Sequence, residues 1–364
     1  MDTGNENFSK KICIVSISLG GGGAERSTAI LSQMLESLGH TVHIVITKDA
    51  VDYPFAGSLL NLGVYKKGTI KILRIINRLL IFKKYLKKHH FDFIIDNRTR
   101  STNIKELIYL KYLYKNIPLI YVVRSAELKM YFPSWEWIAK KMIQKSVHII
   151  GVSKGIAIKI NKYYRTEKAI FIYNPITINN EIPFQPVKKP FAIFVGRLDQ
   201  FVKNFTLLLE AYKMSTIWEK GVHLKIFGKG PDETFILEEI KRLHLENFVT
   251  LEPFTSNILP CMKAANFLAL TSRFEGFPRV LIEALSVGTP VVSVDCETGP
   301  SEIISHNHNG LLVENNNVTK LANAFSSMID DKILYNKLKN NSIASIQEFS
   351  TEKISAKWQV LLNE

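Results

Sequence analysis

Short apolar runs alternate with helical apolar periods along the first half of the chain. Runs rich in β-branched and aromatic residues, typical of strands buried on both faces, occupy residues 12–19, 41–47, 91–96, 119–123 and 148–152. Between them, residues 24–38 and 154–164 carry apolar side chains at helical spacing. Strands separated by helices predict βαβ units and a parallel sheet.

The same alternation restarts in the second half. Strand-like runs recur at residues 191–195, 224–227, 249–251, 267–271 and 291–294. Between the two series lie Asn174-Pro175 and the segment 181–190, whose Pro183, Pro186 and Pro190 have the composition of a linker. We therefore expect an α/β protein with two doubly wound parallel sheets, in domains 1–185 and 186–364, with the last helix packing back on the first domain.

Composition places the chain among ordinary water-soluble proteins. Its 364 residues suffice for two cores, and 46% are hydrophobic and 22% charged. No apolar run is long enough to span a bilayer, and the polar start, residues 1–11, is unlike a secretory signal. Cys13, Cys261 and Cys296 are far apart in apolar surroundings, which predicts reduced thiols and a cytoplasmic setting.

Charge divides the halves more sharply than composition does. Residues 1–185 hold 28 Lys and Arg against 13 Asp and Glu, whereas the remainder holds 19 against 20. Nine basic and no acidic residues lie between Lys66 and Lys88, interleaved with apolar ones, which predicts one amphipathic basic helix. Such a helix can be an ordinary surface helix packed on a sheet, or it can also contact anionic lipid headgroups. The two interpretations are compatible with each other.

The first candidate site is a run of glycines, Gly20 to Gly23, between the first strand and a helix that opens with Ala24-Glu25-Arg26. Glycines here let a ligand approach the backbone, and a helix amino terminus favours an anion. The run does not fit the G-x-G-x-x-G fingerprint, because Glu25 or Arg26 stands where the third glycine belongs. The sequence therefore disfavours a nicotinamide or flavin cofactor.

The second candidate site follows the first strand of the second half. Gly196-Arg197-Leu198-Asp199 is followed by Lys203-Asn204, so that two cations six residues apart flank a strand-to-helix turn. Arginine offers a fork to phosphate oxygens and lysine a point charge. By spacing alone, solvated charges on a loop are the more frequent explanation of such a pair.

The third site is the segment 272–284, which follows the run 267–271. Glu275 lies in the loop at the carboxyl end of that strand, where doubly wound sheets bind ligands, and Pro278 suits the first turn of a helix. Glu283 stands on an otherwise apolar helix, which requires a hydrogen-bonding partner for its carboxylate. The two glutamates have different expected depths, so a binding role fits them better than a glycosidase pair.

These motifs resemble the retaining glycosyltransferases of family 4, the group 1 glycosyl transferases with the GT-B fold of two Rossmann-like domains facing across a cleft. The resemblance rests on Glu275 and Glu283 with seven residues between them and on the preceding Gly196-Arg197 and Lys203-Asn204. It extends to the segments 22–26, 227–230, 289–292, 299–302 and 309–313. The relatives that it suggests build bacterial polysaccharides and lipid-linked glycans.

The resemblance implies a role for each matching residue. Arg197, Lys203 and Glu275 would form the catalytic set, the two cations on the donor diphosphate and the carboxylate on hydroxyls of the transferred sugar. Further donor-binding residues would be Gly22, Gly23, Gly228, Phe254, Gly276, Phe277, Pro278, Val280, Leu281 and Glu283, with Glu283 on the ribose. On the acceptor side it implies Arg26 and Arg124, although many relatives carry a His or a Ser-Glu where this chain has Arg124-Ser125.

The resemblance thus predicts a retaining hexosyl- or N-acetylhexosaminyltransferase that uses a nucleotide sugar, expected to be a UDP-sugar. The acceptor would be a glycan or lipid-diphosphate-linked glycan of surface polysaccharide, lipopolysaccharide or glycoprotein assembly. No cofactor and no metal are expected, because no Asp-x-Asp pair suited to a metal–diphosphate site is present. We expect no nucleic-acid partner, and peripheral attachment to the inner face of the cytoplasmic membrane through Lys66–Lys88.

Two alternatives remain at this point. A nucleotide-sugar epimerase shares the architecture, but its acid/base pair is not apparent and it leaves the basic half unexplained. A non-catalytic glycan- or membrane-binding protein would not need the cations and both glutamates.

Overall fold

The computed structural model describes residues 9–65, 71–178, 182 and 189–363. The chain divides into two compact units, Met1–Ile172 with Ser355–Glu364, and Tyr173–Ile354. The division after Ile172 comes earlier than the expected boundary at 185, and Pro183 and Pro186 lie outside the described residues. The last ten residues return to the first unit, in which Trp358, Leu361 and Leu362 are buried.

The first unit contains one seven-stranded sheet in which every strand pairing is parallel. Its order is β3-β2-β1-β4-β5-β6-β7, so the chain starts in the middle, moves to one edge and then crosses to the other side. The strands are β1 (Lys11–Ser16), β2 (Thr41–Ile46), β3 (Ser58–Asn61), β4 (Phe93–Asp96), β5 (Leu119–Val123), β6 (His148–Gly151) and β7 (Ala169–Phe171).

Helices connect these strands. They are α1 (Gly23–Ser37), α2 (Lys71–His89), α3 (Asn103–Ile108), α4 (Glu136–Lys145) and α5 (Lys154–Tyr164), with a π-helical turn at Tyr109–Leu113 and 3-10 turns at Leu62–Val64 and Leu128–Met130. The central strands β1 and β5 are almost wholly buried. Their apolar runs are therefore covered by helices on both faces, as the sequence predicts.

The second unit repeats the plan with six parallel strands in the order β10-β9-β8-β11-β12-β13. The strands are β8 (Phe191–Val195), β9 (His223–Phe227), β10 (Val249–Glu252), β11 (Phe267–Leu270), β12 (Val291–Asp295) and β13 (Gly310–Glu314). The helices are α6 (Gln200–Lys203), α7 (Phe205–Ser215), α8 (Glu233–Arg242), α9 (Leu259–Ala264), α10 (Arg279–Ser286), α11 (Pro300–Ile303), α12 (Val318–Asp330) and α13 (Lys332–Ser342), with a 3-10 turn at Ala344–Phe349. The helix α14 (Thr351–Asn363) follows, and its residues from Ser355 onward belong to the first unit. The prediction of an α/β protein with two parallel sheets is confirmed.

Helix α2 carries most of the basic segment. Its backbone is helical as predicted, while Lys66, Lys67 and Ile70 lie outside the described residues. Packing on the rest of the unit involves mainly its carboxyl-terminal half, where Phe82 and Leu86 are buried. The interpretation of an ordinary surface helix therefore fits only that half, because the apolar side chains of the first turns are exposed.

Candidate functional site

The second sheet places the predicted donor residues at its switch point. Strands β8 and β11 are neighbours, yet the chain leaves β8 toward β9 and comes back to β11 only after β10. The loops that follow β8 and β11 therefore diverge and leave a crevice at the carboxyl edge, the usual ligand position in such sheets. Lys203 follows β8 and Glu275 follows β11, so the topology brings together two motifs 72 residues apart.

Local structure fixes the position of Lys203. The Asp199 carboxylate caps the short helix α6 by accepting from the Val202 amide. Asn204 then adopts a left-handed conformation with φ 54°, which ends α6 and starts α7 in a new direction. The Thr271 hydroxyl donates to the Lys203 carbonyl at 2.8 Å and ties this turn to the end of β11.

Lys203 and Glu275 form an ion pair. The Lys203 Nζ lies 2.6 Å from Glu275 Oε1, and both side chains are 14% exposed. The Ser272 hydroxyl donates to the same carboxylate oxygen at 2.6 Å, and the Thr298 hydroxyl donates to the Glu275 carbonyl at 2.6 Å. A shielded cation and a fixed carboxylate thus lie side by side at the crevice, one suited to phosphate oxygens and the other to sugar hydroxyls.

Arg197 does not join this pair. Its side chain is 70% exposed, and its Nε approaches Asp199 Oδ2 only to 3.8 Å. The structure therefore places the second predicted cation on the same loop as Lys203 but directs it toward solvent.

Gly228 and Gly230 bring two loops into close contact. A Cβ atom on Gly228 would overlap the Gly196 carbonyl oxygen, and one on Gly230 would overlap the Leu198 backbone. The glycines therefore let the loop after β9 pack directly on the loop that carries Arg197. Nearby, the Lys229 ammonium lies 4.7 Å from the ring centroid of Phe254, which is exposed on the loop after β10.

Helix α10 presents its first turn beside Glu275. Gly276 and Pro278 pack against Gly299, whose φ is +97° and where a Cβ atom would meet Pro278 Cδ. The Leu281 amide donates to the Pro278 carbonyl and closes the first turn. Val280 is partly exposed and the Leu281 side chain is buried.

The Phe277 side chain belongs to the core of its unit. Its ring stacks on Tyr173 at 4.9 Å between centroids and meets Phe349 edge-on at 5.2 Å. The Phe277 ring therefore anchors the loop in the core and does not offer a surface to a ligand.

Glu283 has the partner that the sequence requires. The Arg279 guanidinium lies 3.3 Å from Glu283 Oε1, one helical turn away, and both side chains are buried. Arg279 also donates to the Pro175 carbonyl at 2.9 Å, which joins α10 to the start of the unit. The pair explains how a carboxylate is kept on the buried face of an apolar helix.

Arg273 is a site residue that the motifs did not single out. Its guanidinium donates to the Gln200 carbonyl at 2.6 Å, the Phe201 carbonyl at 3.0 Å and Asn204 Oδ1 at 2.8 Å. Three bonds from one side chain therefore join the Glu275 loop to the helix that carries Lys203. Its position directly after a buried strand and beside Glu275 was the available signal.

In the first unit the glycine run also lies at a switch point, because β1 and β4 are neighbours that are not consecutive. Gly21 has φ +83°, and Gly22 precedes the first helical residue, Gly23. The Arg26 amide donates to the Gly22 carbonyl at 3.0 Å and starts the helix. Burial raises the pKa of Glu25 in the first turn, and the nearby charges of Arg124 and Lys48 oppose that rise.

Arg124 reaches toward the same edge from β5. Its guanidinium lies 3.3 Å from Asn97 Oδ1, and the Asn97 amide donates to the Thr28 hydroxyl at 3.3 Å. Arg124 and Asn97 therefore lie together beside α1, and Asn97 is a further site candidate that the motifs did not reveal. The structure thus places the predicted acceptor-side residue Arg124 at the carboxyl edge of the first sheet.

A buried ion network supports this edge. Asp96, Arg98, Arg100 and Glu106 are all at most 2% exposed. Arg98 pairs with Asp96 at 2.7 Å and with Glu106 at 2.9 Å. Arg100 donates to four backbone carbonyls around it, those of Asp96, Arg98, Val122 and Tyr131. The network fixes the backbone on either side of Asn97.

Two further findings concern the residues that the structure describes. These residues contain no group of three His, Cys, Asp or Glu side chains placed to hold a metal ion. Over the same residues, no helix is both long and apolar enough to cross a membrane.

Comparison with solved structures defines the class of fold. The chain superposes on the crystal structure of TarM with a TM-score of 0.80 and 17% identity, over 99% of this chain and 100% of that one. It superposes equally well, with a TM-score of 0.80 and 20% identity, on HepE from Anabaena in complex with UDP and glucose, over 98% of this chain and 100% of that one. These are glycosyltransferase folds of the GT-B type.

Sequence comparison then gives the family. Residues 176–345 match the model of "Glycosyl transferases group 1", and residues 21–180 match that of "Glycosyltransferase Family 4". The N-acetylgalactosamine-N,N'-diacetylbacillosaminyl-diphospho-undecaprenol 4-alpha-N-acetylgalactosaminyltransferase of Campylobacter jejuni is 29% identical over 95% of this chain and 97% of that protein. The amylovoran biosynthesis glycosyltransferase AmsD of Erwinia amylovora is 24% identical over 94% and 96%. The chain belongs to the group 1 glycosyltransferases and is a glycosyltransferase, as the motifs indicate.

Proposed function

We propose that the protein is a retaining, metal-independent glycosyltransferase that moves a hexosyl or N-acetylhexosaminyl group from a UDP-sugar to a lipid-diphosphate-linked or free glycan acceptor. The observation that carries the proposal is the shielded Lys203–Glu275 pair at the switch point, beside the first turn of α10. Similarity over nearly the full length to a transferase named for a diphospho-undecaprenol acceptor supports the acceptor class. UDP in complexes of proteins with the same fold supports the nucleotide.

In this mechanism the bond from the anomeric carbon to the diphosphate breaks while the acceptor oxygen bonds to that carbon from the same face. The acceptor proton passes to the departing phosphate oxygen. Negative charge grows on the diphosphate, where Lys203 stabilises it, and Arg197 joins when its exposed side chain turns toward the bound donor. Glu275, held by Ser272, accepts from sugar hydroxyls, and Glu283 accepts from the ribose.

The charge arrangement of the proposed site supports the proposal of metal independence. Leaving-group charge needs a cation, and in many phosphate enzymes Mg²⁺ supplies it. Here Lys203 and Arg197, on the loop that faces the crevice, are assigned that task.

The acceptor side would lie on the first unit. Arg26 and Arg124 both lie at the carboxyl edge of its sheet, Arg26 in the first turn of α1 after β1 and Arg124 directly after β5. Guanidinium groups there would bind phosphate oxygens of the acceptor. A lipid-linked acceptor also requires the enzyme to work at a membrane surface, for which the basic segment Lys66–Lys88 gives an electrostatic attraction of about 1 kcal/mol per cation near an anionic leaflet.

The test incubates the protein with a panel of nucleotide sugars and measures nucleotide release with and without a glycan acceptor. Lys203→Ala is expected to lower transfer about 10²–10³-fold, and Arg197→Ala similarly, with unchanged circular dichroism. Lys220→Ala, which removes an exposed lysine paired with Asp330, serves as the matched control. Lys203→Ala activity within a few-fold of the parent would reject the assignment of Lys203.

The anomeric configuration of the product, read by NMR, decides whether transfer retains or inverts. Interconversion of the nucleotide sugar without release of nucleotide would instead identify an epimerase. Binding without either reaction would identify a non-catalytic protein.

A further inference from the structure

The first turns of α2 expose aliphatic side chains on one face. Ile72, Leu73, Ile76 and Leu80 are between 47% and 66% exposed, and Ile75 beside them is 49% exposed. Their spacing of one, four and eight residues from Ile72 places the four on one side of the helix. Single exposed apolar residues are ordinary, but a row of this kind is typical of an interaction surface.

The same row becomes basic farther along the helix. Lys83 lies three residues after Leu80, and Lys87 lies four residues after Lys83, so both lysines are on the same face as the aliphatic row. This face is therefore aliphatic in the first half of the helix and lysine-rich in the second half. The buried Phe82 and Leu86 anchor this second half to the unit, with Phe82 against the Tyr109 and Tyr114 rings. The helix is thus held at one end and presents an apolar side at the other.

A pair of exposed tryptophans lies at the start of α4. Trp135 and Trp137, at the start of α4, are about half exposed, and their rings stack with centroids 6.4 Å apart. The Trp135 amide donates to Asn103 Oδ1 at 2.9 Å, which fixes the pair beside the start of α3, where Ile104 is 64% exposed.

All three helices begin at the same edge of the sheet. A helix between two parallel strands runs back along them, so α2, α3 and α4 start at the carboxyl edge. Helix α2 packs on the π-helical turn that continues α3, and α3 packs on α4, so the three are neighbours. We call this surface the apolar edge: Ile72, Leu73, Ile75, Ile76, Leu80, Ile104, Trp135 and Trp137.

We propose that the apolar edge inserts into the headgroup–acyl boundary of an anionic bilayer, with Lys83, Lys84 and Lys87 on lipid phosphates. Aliphatic side chains gain little from sugar rings but are stabilised among acyl chains, and tryptophan favours the membrane interface. The adjoining lysines complement anionic headgroups. This inference deepens the peripheral attachment proposed above, since it adds insertion to an electrostatic contact.

An orientation with the apolar edge in the bilayer would serve the proposed function. The loop that carries Asn97 follows β4 and the one that carries Arg124 follows β5, at the same carboxyl edge where α3 and α4 begin. Insertion of the apolar edge would therefore present this part of the first unit to the bilayer surface. A lipid-linked acceptor would reach it without leaving the membrane.

The experiment measures partitioning of the full-length protein into vesicles of phosphatidylcholine with 30% phosphatidylglycerol, at low salt and at high salt that screens charges beyond a few ångströms. The fourfold variant Ile72→Ser, Leu73→Ser, Ile76→Ser, Leu80→Ser is expected to partition at least tenfold less at either salt. The matched control Leu237→Ser, Ile333→Ser removes exposed aliphatic residues of the second unit and should match the parent. Partitioning of the fourfold variant within twofold of the parent overturns the inference.

Tryptophan fluorescence supplies an independent readout. Of the four tryptophans, Trp358 is buried and Trp218 packs against the second core, so acyl-chain-brominated lipid is expected to quench mainly Trp135 and Trp137. Quenching should disappear in Trp135→Phe, Trp137→Phe. Absence of quenching in the parent overturns insertion, and protection of the pair by a glycan acceptor in its place would assign it to sugar binding.

These outcomes are separable from those of the proposed function. Vesicle partitioning needs no substrate, whereas nucleotide release with a soluble acceptor needs no membrane. Intact release by a parent that fails to insert would reject only the inference, and insertion without release on any nucleotide sugar would reject only the proposed function.

Discussion

Asp96→Asn removes a buried charge while keeping the shape of the side chain, and we expect it to destabilise the first unit strongly. Asp96 is fully buried, and both carboxylate oxygens only accept. Oδ1 takes the Arg98 amide at 3.0 Å and Arg98 Nε at 3.1 Å, while Oδ2 takes an Arg98 terminal nitrogen at 2.7 Å and the Tyr114 hydroxyl at 3.1 Å. An amide nitrogen in Asp96→Asn would face a donor at either position.

The expected loss is large relative to total stability. Removing the charge leaves the buried Arg98 and Arg100 guanidiniums with less compensation, and breaking a buried pair in this way costs about 3–5 kcal/mol. A folded domain has only about 5–15 kcal/mol in all. The first unit of Asp96→Asn is therefore expected to unfold at a markedly lower urea concentration, measured by circular dichroism with hydrogen exchange to locate the opening.

The pH dependence gives a second signature. Burial by itself would raise the pKa of Asp96, but the charges of Arg98 and Arg100 and the hydrogen bonds from Arg98 outweigh it and lower the pKa. A carboxyl whose pKa is lower in the folded state stabilises the fold above its unfolded pKa of about 3.9, and that contribution fades as the pH falls further. The stability gap between parent and variant should therefore be constant near neutral pH and narrow below about pH 4.

Glu136→Gln is the control, because Glu136 forms an exposed ion pair with Lys140 in the same unit. It should unfold at the same urea concentration as the parent. A gap below about 1 kcal/mol for Asp96→Asn at neutral pH, or one that stays constant into acid, would show that the buried network does not support this edge as described.

Three further predictions concern the donor site. Gly228→Ala should weaken nucleotide binding and lower the free energy of unfolding by about 1–3 kcal/mol, because the new Cβ atom has to displace the Gly196 carbonyl. Unchanged nucleotide affinity in calorimetry would contradict the close packing. Arg273→Met should lower kcat at least tenfold with little change in KM, because it frees the helix of Lys203 from the Glu275 loop, whereas Arg242→Met on the exposed face of α8 should leave both constants unchanged. The transfer rate should be unchanged in excess chelator. Activity that is lost in chelator and returns with Mg²⁺ or Mn²⁺ would show that Lys203 and Arg197 do not replace a metal.

The sequence predicted the central strands well and missed three of the four outermost strands of the described residues, the exception being β10, predicted at 249–251. Strands β5 and β8 have the predicted ends, since both are buried runs with a clear apolar signature. No run predicted β3, β7 or β13, which are outermost in their sheets and only partly buried. An outer strand is covered less and keeps polar residues, so its pattern resembles a loop.

For the site, the sequence predicted which residues take part but not the directions of their side chains. The resemblance implied that Lys203 and Glu275 share a site, and the structure pairs them because strand ends of a parallel sheet meet at one edge. The apolar pattern around Glu283 indicated that Glu283 needs a partner, and Arg279 is that partner. Rotamers and loop packing are not encoded in spacing, so the exposure of Arg197 and the burial of Phe277 were not foreseeable.

Exposure of the α2 aliphatic residues was missed for a related reason. A helical apolar period predicts a packed face, but it does not tell how far a helix extends past the sheet. Only the buried positions of Phe82 and Leu86 show where packing ends.

The return of residues 355–364 to the first unit has a consequence for biosynthesis. The strands of that unit leave the ribosome first, yet Trp358, Leu361 and Leu362 of its core are translated only after the second unit, Tyr173–Ile354. At about 5–20 residues per second, the first unit waits on the order of ten seconds or more with part of its core uncovered, while the second unit is made. Over that interval the first unit is incompletely folded, and deletion of residues 355–364 would destabilise the first unit rather than the second.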